Sequence, residues 1–593
     1  MSDQNERKPK RGKEKKYSAN EVKDETVIYG AFDSETAGLG GELLMLQCSI
    51  MGESRVFTGE HKLRDFVDYL GKFPSPCIWY GWHTAYDWRY IIPYLIERQF
   101  HCEFNLRTES DIYQVTFSYY ESQIVMRDAA ALFKPGTRLA DFSRSFTPEL
   151  PKMEIDIEFF DINNPEHIAY AIRDVEILTL GLPRFNALAS KHFGVGLGHT
   201  AAGTAMKAWQ RTIPAGVFYK TSKMDDREAY IRDSYYGGLV FLTRNDLLTS
   251  EGDKPVARTY DINSSYPYVM DTFGVPDGRV IETDDYQLGM MGIYHVKVRT
   301  PDDLVIPILP GRDAQGNMRW RRGVFETKVT NRELIFAVAN GYEILDIYSG
   351  LAFEETIHPF SDYIAKCKRI RKEFKGQTEE EVGKLFQNSL YGKYASRRER
   401  RRVFMPQSDE ECFDAIPLGI SGLWVKTDIH DGMRCRPEWA VFITAHARLR
   451  LLQTAYSVGV DRCIYGDTDS LTVLDGYESA IDTGSEYGQF KLEKSWRKFR
   501  AIAPKVYSGE LMNGSYIGAA KGLPRKSITD QNWLDLIESG QSSASALSLS
   551  GLVVGMKNGF APASVLDRKS SDLSNSSNYE QLTGNRVRVK LAS

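Results

Sequence analysis

Cysteine is scarce and unpatterned in this chain: seven residues in 593, at positions 48, 77, 102, 367, 412, 435 and 463, with no C-x-x-C pair. That excludes a disulfide-stapled scaffold and argues against a structural zinc site. No run of ~18 apolar residues occurs, so no membrane-spanning helix and no membrane partner is expected. The opening MSDQNERKPKRGKEKKYSAN lacks the apolar core of a secretory signal, and the chain reads as cytoplasmic. No internal repeat of useful period is present. Net charge is also nearly absent, since 75 Lys and Arg against 79 Asp and Glu leave −4. The total therefore gives no pointer to nucleic acid, and only local basic runs can.

Four such runs stand out: 7–16 (RKPKRGKEKK), 366–375 (KCKRIRKEFK), 397–402 (RRERRR) and 491–500 (KLEKSWRKFR). Read singly, each serves equally as a solvated helix face, and residues 1–24 read as a disordered basic tail. At about 150 residues per domain the length suggests about four domains. Residues 25–190 alternate β-rich runs with helical patterns, the texture of an α/β domain. Residues 197–235 read as helical, 256–350 as mostly strand, and 360–391 as a charged helical stretch interrupted near Gly376. Residues 395–435 read as irregular and lead into a helix, RPEWAVFITAHARLRLLQTAYSVG. CIYGDTDSLTVL is a hairpin signal, and 541–578 is Ser-rich.

The chemistry lies in the carboxylates. Asp33 and Glu35 stand two apart in YGAFDSETAG, so a strand places both on one face, ~6–7 Å apart. That suits a pair of divalent ions gripped from one side. Asp87 closes an aromatic-rich stretch, and Tyr170 and Asp174 share a helix face. Downstream, Asp261 ends a strand-like run, and Asp467 and Asp469 sit at the tip of the predicted hairpin. Burying unpaired carboxylates is costly, and a cation is the simple remedy. For Asp467 and Asp469 taken alone, a turn whose acids point into water is the favoured reading. Lys384, Asn388 and Tyr391 form one helical stripe suited to a triphosphate, a base edge and a base plane.

In order, DSE, TAYD, YAIRD, YYGG, DINSSYP, KLFQNSLYG, YGDTDS and KVY resemble the motifs of family B DNA polymerases. The text around NSLYGKYAS and EWAVFITAHARLR resembles most the small protein-primed phage-type subgroup with a 3′–5′ exonuclease. The resemblance implies an α/β multidomain protein. A ribonuclease H-like exonuclease domain (25–195) would precede a palm (196–270 and 436–527), fingers (356–394) and thumb (528–593). Two insertions would lie at 271–355, contacting a terminal protein, and at 395–435, serving strand displacement.

The same resemblance assigns roles. Asp33, Glu35, Asp87 and Asp174 would ligate the exonuclease metals, with Tyr170 orienting water and Lys152, in KMEI with Ile155, assisting the phosphate. Asp261 and Asp469 would bind the polymerase metals, supported by Asp467, with Glu493 an acid nearby. Tyr266 would exclude a 2′-hydroxyl. Lys384, Asn388, Tyr391 and Lys372 would hold the nucleotide. Tyr235, Gly237, Gly238, Lys505, Tyr507, Thr36, His83 and Tyr90 would contact DNA. The implied cofactor is Mg2+, with Mn2+ able to substitute. The implied partners are template and primer DNA, deoxynucleotides and a terminal protein, with the chain a monomer. His83 replaces the usual asparagine, Ala129 a common serine, and Ser265 the leucine before the gate tyrosine. A family B enzyme extending nucleic-acid primers, or starting without any, is the alternative.

Overall fold

The computed structural model describes residues 27–38, 41–108, 111–156, 159–213, 226–250, 252–397, 399–418, 422–429, 435–520, 543–549 and 566–572. The expected basic tail and most of the expected thumb lie outside these residues.

The first unit is β1 (Ile28–Thr36), β2 (Leu43–Ile50), β3 (Glu53–Phe57), α1 (Lys62–Leu70), β4 (Cys77–Gly81), α2 (Trp88–Glu97), β5 (Cys102–Thr108), β6 (Asp111–Tyr119), β7 (Ser122–Asp128), α3 (Leu139–Phe146) and α4 (Pro165–Phe193). β1 pairs antiparallel with β2 and parallel with β4. Such a central strand must be apolar apart from functional positions, and Ala31 and Phe32 are fully buried. α4 starts at Asn164, whose side chain accepts from Glu166 N–H, continues with Pro165, and ends at Gly194 with φ 69°. Its buried Val175, Leu178, Leu182 and Phe185 join Ala31, Tyr80 and Phe142 in one core.

The second unit runs through α5 (Ala201–Gln210), α6 (Asp226–Asp233), β8 (Val240–Leu242), β9 (Leu248–Thr249), β10 (Ala257–Ile262) and α7 (Ser265–Thr272). The 197–235 stretch is thus two short helices among the described residues, not one long helix. A subdomain follows: β11 (Val275–Thr283), β12 (Met291–Arg299), β13 (Pro310–Arg312), β14 (Met318–Trp320), β15 (Val324–Thr330), α8 (Asn331–Ala339) and β16 (Glu343–Ile357). Its four-stranded sheet has the order β11-β16-β12-β15. α9 (Ser361–Glu373) and α10 (Thr378–Ser389) form a helical pair broken near Gly376, whose φ is +77°.

Residues 395–435, expected to be irregular, contain β17 (Glu399–Phe404), β18 (Ala415–Pro417) and β19 (Trp424–Ile429). These strands extend the first unit's sheet into ten strands, order β18-β19-β17-β5-β6-β7-β4-β1-β2-β3. Val403 pairs with Phe104, and Val403, Leu418 and Leu423 enter the Phe104 core. The basic run is tied in here, with Arg402 paired to Glu103 at 3.3 Å and Asp428 at 3.2 Å.

α11 (Pro437–Val458) is buried on nearly every side, its polar Glu438, His446 and Arg448 included. The second unit's sheet adds β20 (Cys463–Asp467), β21 (Ser470–Leu474), β22 (Phe490–Ala503), β23 (Val506–Leu511) and β24 (Tyr516–Ala520), in the order β24-β23-β22-β10-β21-β20-β8. Two further paired strands cover Ser543–Leu549 and Leu566–Asp572. No helix among the described residues is long and apolar enough to cross a membrane.

Candidate active sites

The first acid cluster is assembled by β1, the N-terminus of α2 and the middle of α4. Gln47, directly across β2 from Asp33, donates to Asp33 Oδ2 and to Glu35 Oε1, both at 3.2 Å. Ser34 Oγ donates to Asp87 Oδ1 at 2.5 Å. Lys152 Nζ lies 2.7 and 2.5 Å from the two Asp174 oxygens and 4.1 Å from the Tyr170 ring centroid.

These acids resist ionisation. Burial, then repulsion from Asp87, Glu35 and Asp174, holds Asp33 well above the usual carboxylate range, against the pull of Lys152. Glu35 is pushed up to about 8 by burial and then by Asp174. Asp87 rises to about 7 through burial, although the Ser34 hydrogen bond opposes it. Burial also raises Asp174 despite Lys152. Tyr170 is pushed up to about 12 by burial and Asp174, so it remains a hydroxyl at neutral pH.

Among the described residues, no three His, Cys, Asp or Glu side chains form a ready-made metal cage. The donor set nevertheless fits a hard divalent cation: clustered carboxylate oxygens, buried, and destabilised by each other's charge.

The second cluster sits on the second unit's sheet. Asp261 pairs with Ser470 on one side and Lys491 on the other. Ile262 N–H donates to Asp469 C=O at 2.8 Å, setting Asp469 beside Asp261. Asp261 is raised to about 7 by burial, then by Asp469 and Glu493, while Lys494 and Lys134 oppose. Asp469 is raised by burial and by Asp467. This pair also fits a divalent cation, for the same reason. Lys505 Nζ grips Asp467 at 2.8 and 3.0 Å, and Lys494 holds Glu493 at 2.6 Å. The hairpin turn needs Gly238: a Cβ there would stand 2.7 Å from Thr468 Oγ1.

Asp261, Asp469 and Glu493 line a cleft of about 2280 Å³ with Tyr266, Lys384 and Asn388. Lys134, Lys207, Lys393 and Arg397 add positive charge to its walls. The Tyr266 and Tyr391 rings stack 3.8 Å apart at 3°. Tyr235, raised by burial and then by Tyr391, lies near this pair.

The remaining expected positions are placed as follows. Lys372 is exposed and absent from the cleft lining, where its neighbour Arg371 is found. Successive helical residues point ~100° apart, so the cation facing the cleft is the preceding one. Ala129 is fully buried in the core, where it cannot meet DNA. His83, with φ +56°, is exposed; its N–H donates to Asp128 and its ring lies 3.2 Å from Thr137 C=O. Thr36 bonds Gly38 C=O at 2.8 Å and meets the Tyr86 hydroxyl, while Tyr90 OH donates to Gly41 C=O at 2.7 Å. Tyr507 packs against Tyr465 and Phe499 under Asp467, lining a small cavity with them.

Sequence reasoning missed Gln47 and Arg448. Arg448, on α11, donates to Tyr236 C=O at 2.6 Å, Gly237 C=O at 2.9 Å and Glu333 Oε1 at 2.7 Å. The signal was an arginine amid the largely apolar residues of a long helix, which demands a buried partner.

The two sheets and their acid clusters give an α/β architecture with two separate carboxylate sites, which the comparisons with known proteins place beside DNA polymerases. A family model described as DNA polymerase type B, organellar and viral, matches residues 161–417. The chain is similar to a probable DNA polymerase of Neurospora intermedia, 27% identical over 314 residues, covering 47% of this chain and 31% of that protein. It is similar also to the DNA polymerase of Bacillus phage phi29, 27% identical over 383 residues, 59% of this chain and 62% of that one. The chain thus spans about a third of the fungal relative and under two thirds of the phage one. Among solved structures, the phi29 polymerase complexed with primer-template DNA and incoming nucleotides superposes with TM-score 0.73 at 18% identity. That match covers 92% of this chain and all of the other. The resemblance to the phage-type subgroup therefore holds in sequence and in fold.

Proposed function

We propose that the chain is a DNA-directed DNA polymerase with a 3′–5′ proofreading exonuclease, copying a linear viral or plasmid genome by protein-primed, strand-displacing synthesis. One observation carries the reading: Asp261 and Asp469 lie side by side on the wall of a cation-lined cleft that also holds Tyr266, Lys384 and Asn388. DNA and deoxynucleotides are the substrates that such a cleft suits.

Asp261 and Asp469 would hold divalent cations, Mg2+ or in its place Mn2+, which when bound activate the primer 3′-hydroxyl and neutralise the triphosphate. Lys384 and Arg371 balance the remaining phosphate charge. The Tyr266 ring excludes a 2′-hydroxyl by steric overlap. Lys505 holds the Asp467 carboxylate in place. In the exonuclease domain, Asp33, Glu35, Asp87 and Asp174 would hold the same ions, Tyr170 OH orients the attacking water, and Lys152 positions Asp174.

The 271–355 subdomain supports an interface with a terminal protein. Val324, Ile335, Val338 and Tyr348 are exposed apolar residues there, between 40% and 52% accessible. Arg321 is exposed, whereas Arg322 is partly buried and donates to Val305 C=O at 3.2 Å. Arg321→Glu alone is therefore the cleaner interface change.

Two measurements test the reading. Asp469→Ala should abolish primer extension while leaving single-strand exonuclease activity, and Asp33→Ala should do the reverse. Loss of both activities from either change, in a folded protein, would overturn the two-site assignment. With a cognate terminal protein, Mg2+ and one deoxynucleotide, a covalent protein–nucleotide adduct should form, and Arg321→Glu should reduce it more than DNA-primed extension. Efficient copying of DNA-primed templates with no adduct would favour nucleic-acid priming instead.

A further inference from the structure

The stripe Lys384, Asn388 and Tyr391 leaves out a fully buried amide between its first two members, Gln387. A buried amide needs partners, and its partners close a ring. Gln387 Nε2 donates to Ser264 Oγ at 3.1 Å. Tyr487 OH donates to Gln387 Oε1 at 2.6 Å. Arg371 Nη1 donates to Tyr487 OH at 2.7 Å and to Ser264 Oγ at 3.1 Å.

The four side chains come from four places: α9, α10, the residue preceding α7, and the loop before β22. Ser264, with φ 50° and ψ 53°, makes no side-chain cap to α7, so its hydroxyl serves the ring instead. It stands two residues before Tyr266. Arg371 Nε is buried with no hydrogen-bond partner, so the ring rather than its Nε fixes how the guanidinium faces the cleft. The loop carrying Tyr487 is itself fastened, since Gly488 N–H donates to Asn263 C=O at 2.8 Å and Asn263 N–H to Gln489 C=O at 2.9 Å.

Every member takes part in two of the bonds, so losing one opens the ring and frees its neighbours. We propose that Tyr487 and Gln387 are positioning residues for nucleotide binding: they tie the two fingers helices to the palm and aim Arg371 and the Ser264–Tyr266 turn at the incoming triphosphate and sugar. The proposal rests on the polymerase reading above.

Tyr487→Phe is the direct test, because the ring stays. Lys368 Nζ, 4.6 Å over that ring and paired with Asp271 at 2.6 Å, keeps its contacts. Primer extension by the purified full chain, with Mg2+ and varied dNTP, should show KM for the nucleotide rising about tenfold while kcat changes less than about twofold. Gln387→Leu should do the same, and the double variant should be no worse than either single, the mark of one shared unit. Single-strand exonuclease activity should stay at the wild-type level. An unchanged KM in Tyr487→Phe overturns the proposal, as does a parallel fall of kcat and exonuclease activity, which marks a merely structural role. Were the wild-type chain itself unable to extend a primer, the polymerase reading would fall and this proposal with it.

Discussion

Asp33, Glu35, Asp87 and Asp261 are carboxyl groups placed where their charge is poorly hydrated, and this makes stability a function of pH. Each binds its proton more tightly in the folded chain than the ordinary values of 3.8 to 4.5, with Glu35 reaching about 8 and Asp87 and Asp261 about 7. The stability they contribute is present in full below about pH 4 and drains away as pH rises towards 7 to 8. In EDTA the melting temperature should therefore fall by several degrees between pH 5 and pH 8, and Mg2+ should restore it most at the upper end. Asp33→Asn with Glu35→Gln should flatten the EDTA curve, and an unflattened curve would remove these groups from the effect. Tyr266→Val addresses the cleft: ribonucleotide incorporation relative to deoxyribonucleotide should rise about 10- to 100-fold. An unchanged ratio would take Tyr266 out of the sugar pocket. The acids were legible because each motif keeps its chemistry in a few adjacent letters. Gln47 was not, since it acts only through its register opposite Asp33, and neither was Arg371, which differs from Lys372 only in which way a helix turns.

Elements fared differently according to how local their causes are. The break between α9 and α10 was readable at Gly376, and α11 was readable from its apolar run, because both follow from nearby residues. β17 and β19 were not, because β17 pairs with β5 some 300 residues upstream, and no local pattern announces such a partner. The Arg448–Glu333 pair, each 1% exposed, joins α11 to α8 and to the Tyr236–Gly237 turn. Arg448→Met leaves Glu333 buried without its countercharge and should cost about 3–5 kcal/mol in chemical denaturation. A cost under about 1 kcal/mol would show that the pair is incidental. Val403→Pro removes an amide N–H and locks the backbone in β17, costing about 3 kcal/mol or more locally. Filling of short gaps should persist, while rolling-circle product length should collapse. Full-length rolling-circle products would show that this hairpin is not needed to part the strands.

At the scale of the molecule, the cleft cations set how binding responds to salt. If about six phosphates are met there, affinity for primer–template should fall about 10³-fold between roughly 50 and 200 mM salt, and a flat dependence would mean that the cleft does not hold the backbone. The two acid clusters belong to separate sheets, which is why a change in one is expected to spare the other. Yet the first sheet is not built from its own stretch of chain. Its edge strand β5 is completed by β17, so Val403 must find Phe104 across the whole of the intervening second-unit sequence. A ribosome delivers these strands far apart in time. Until residue 404 has emerged, the nascent first unit waits with an open, apolar-backed edge, exposed to other chains. Residues 27–196 made alone should therefore be prone to aggregate, and a peptide spanning 399–429, supplied in trans, should keep them in solution.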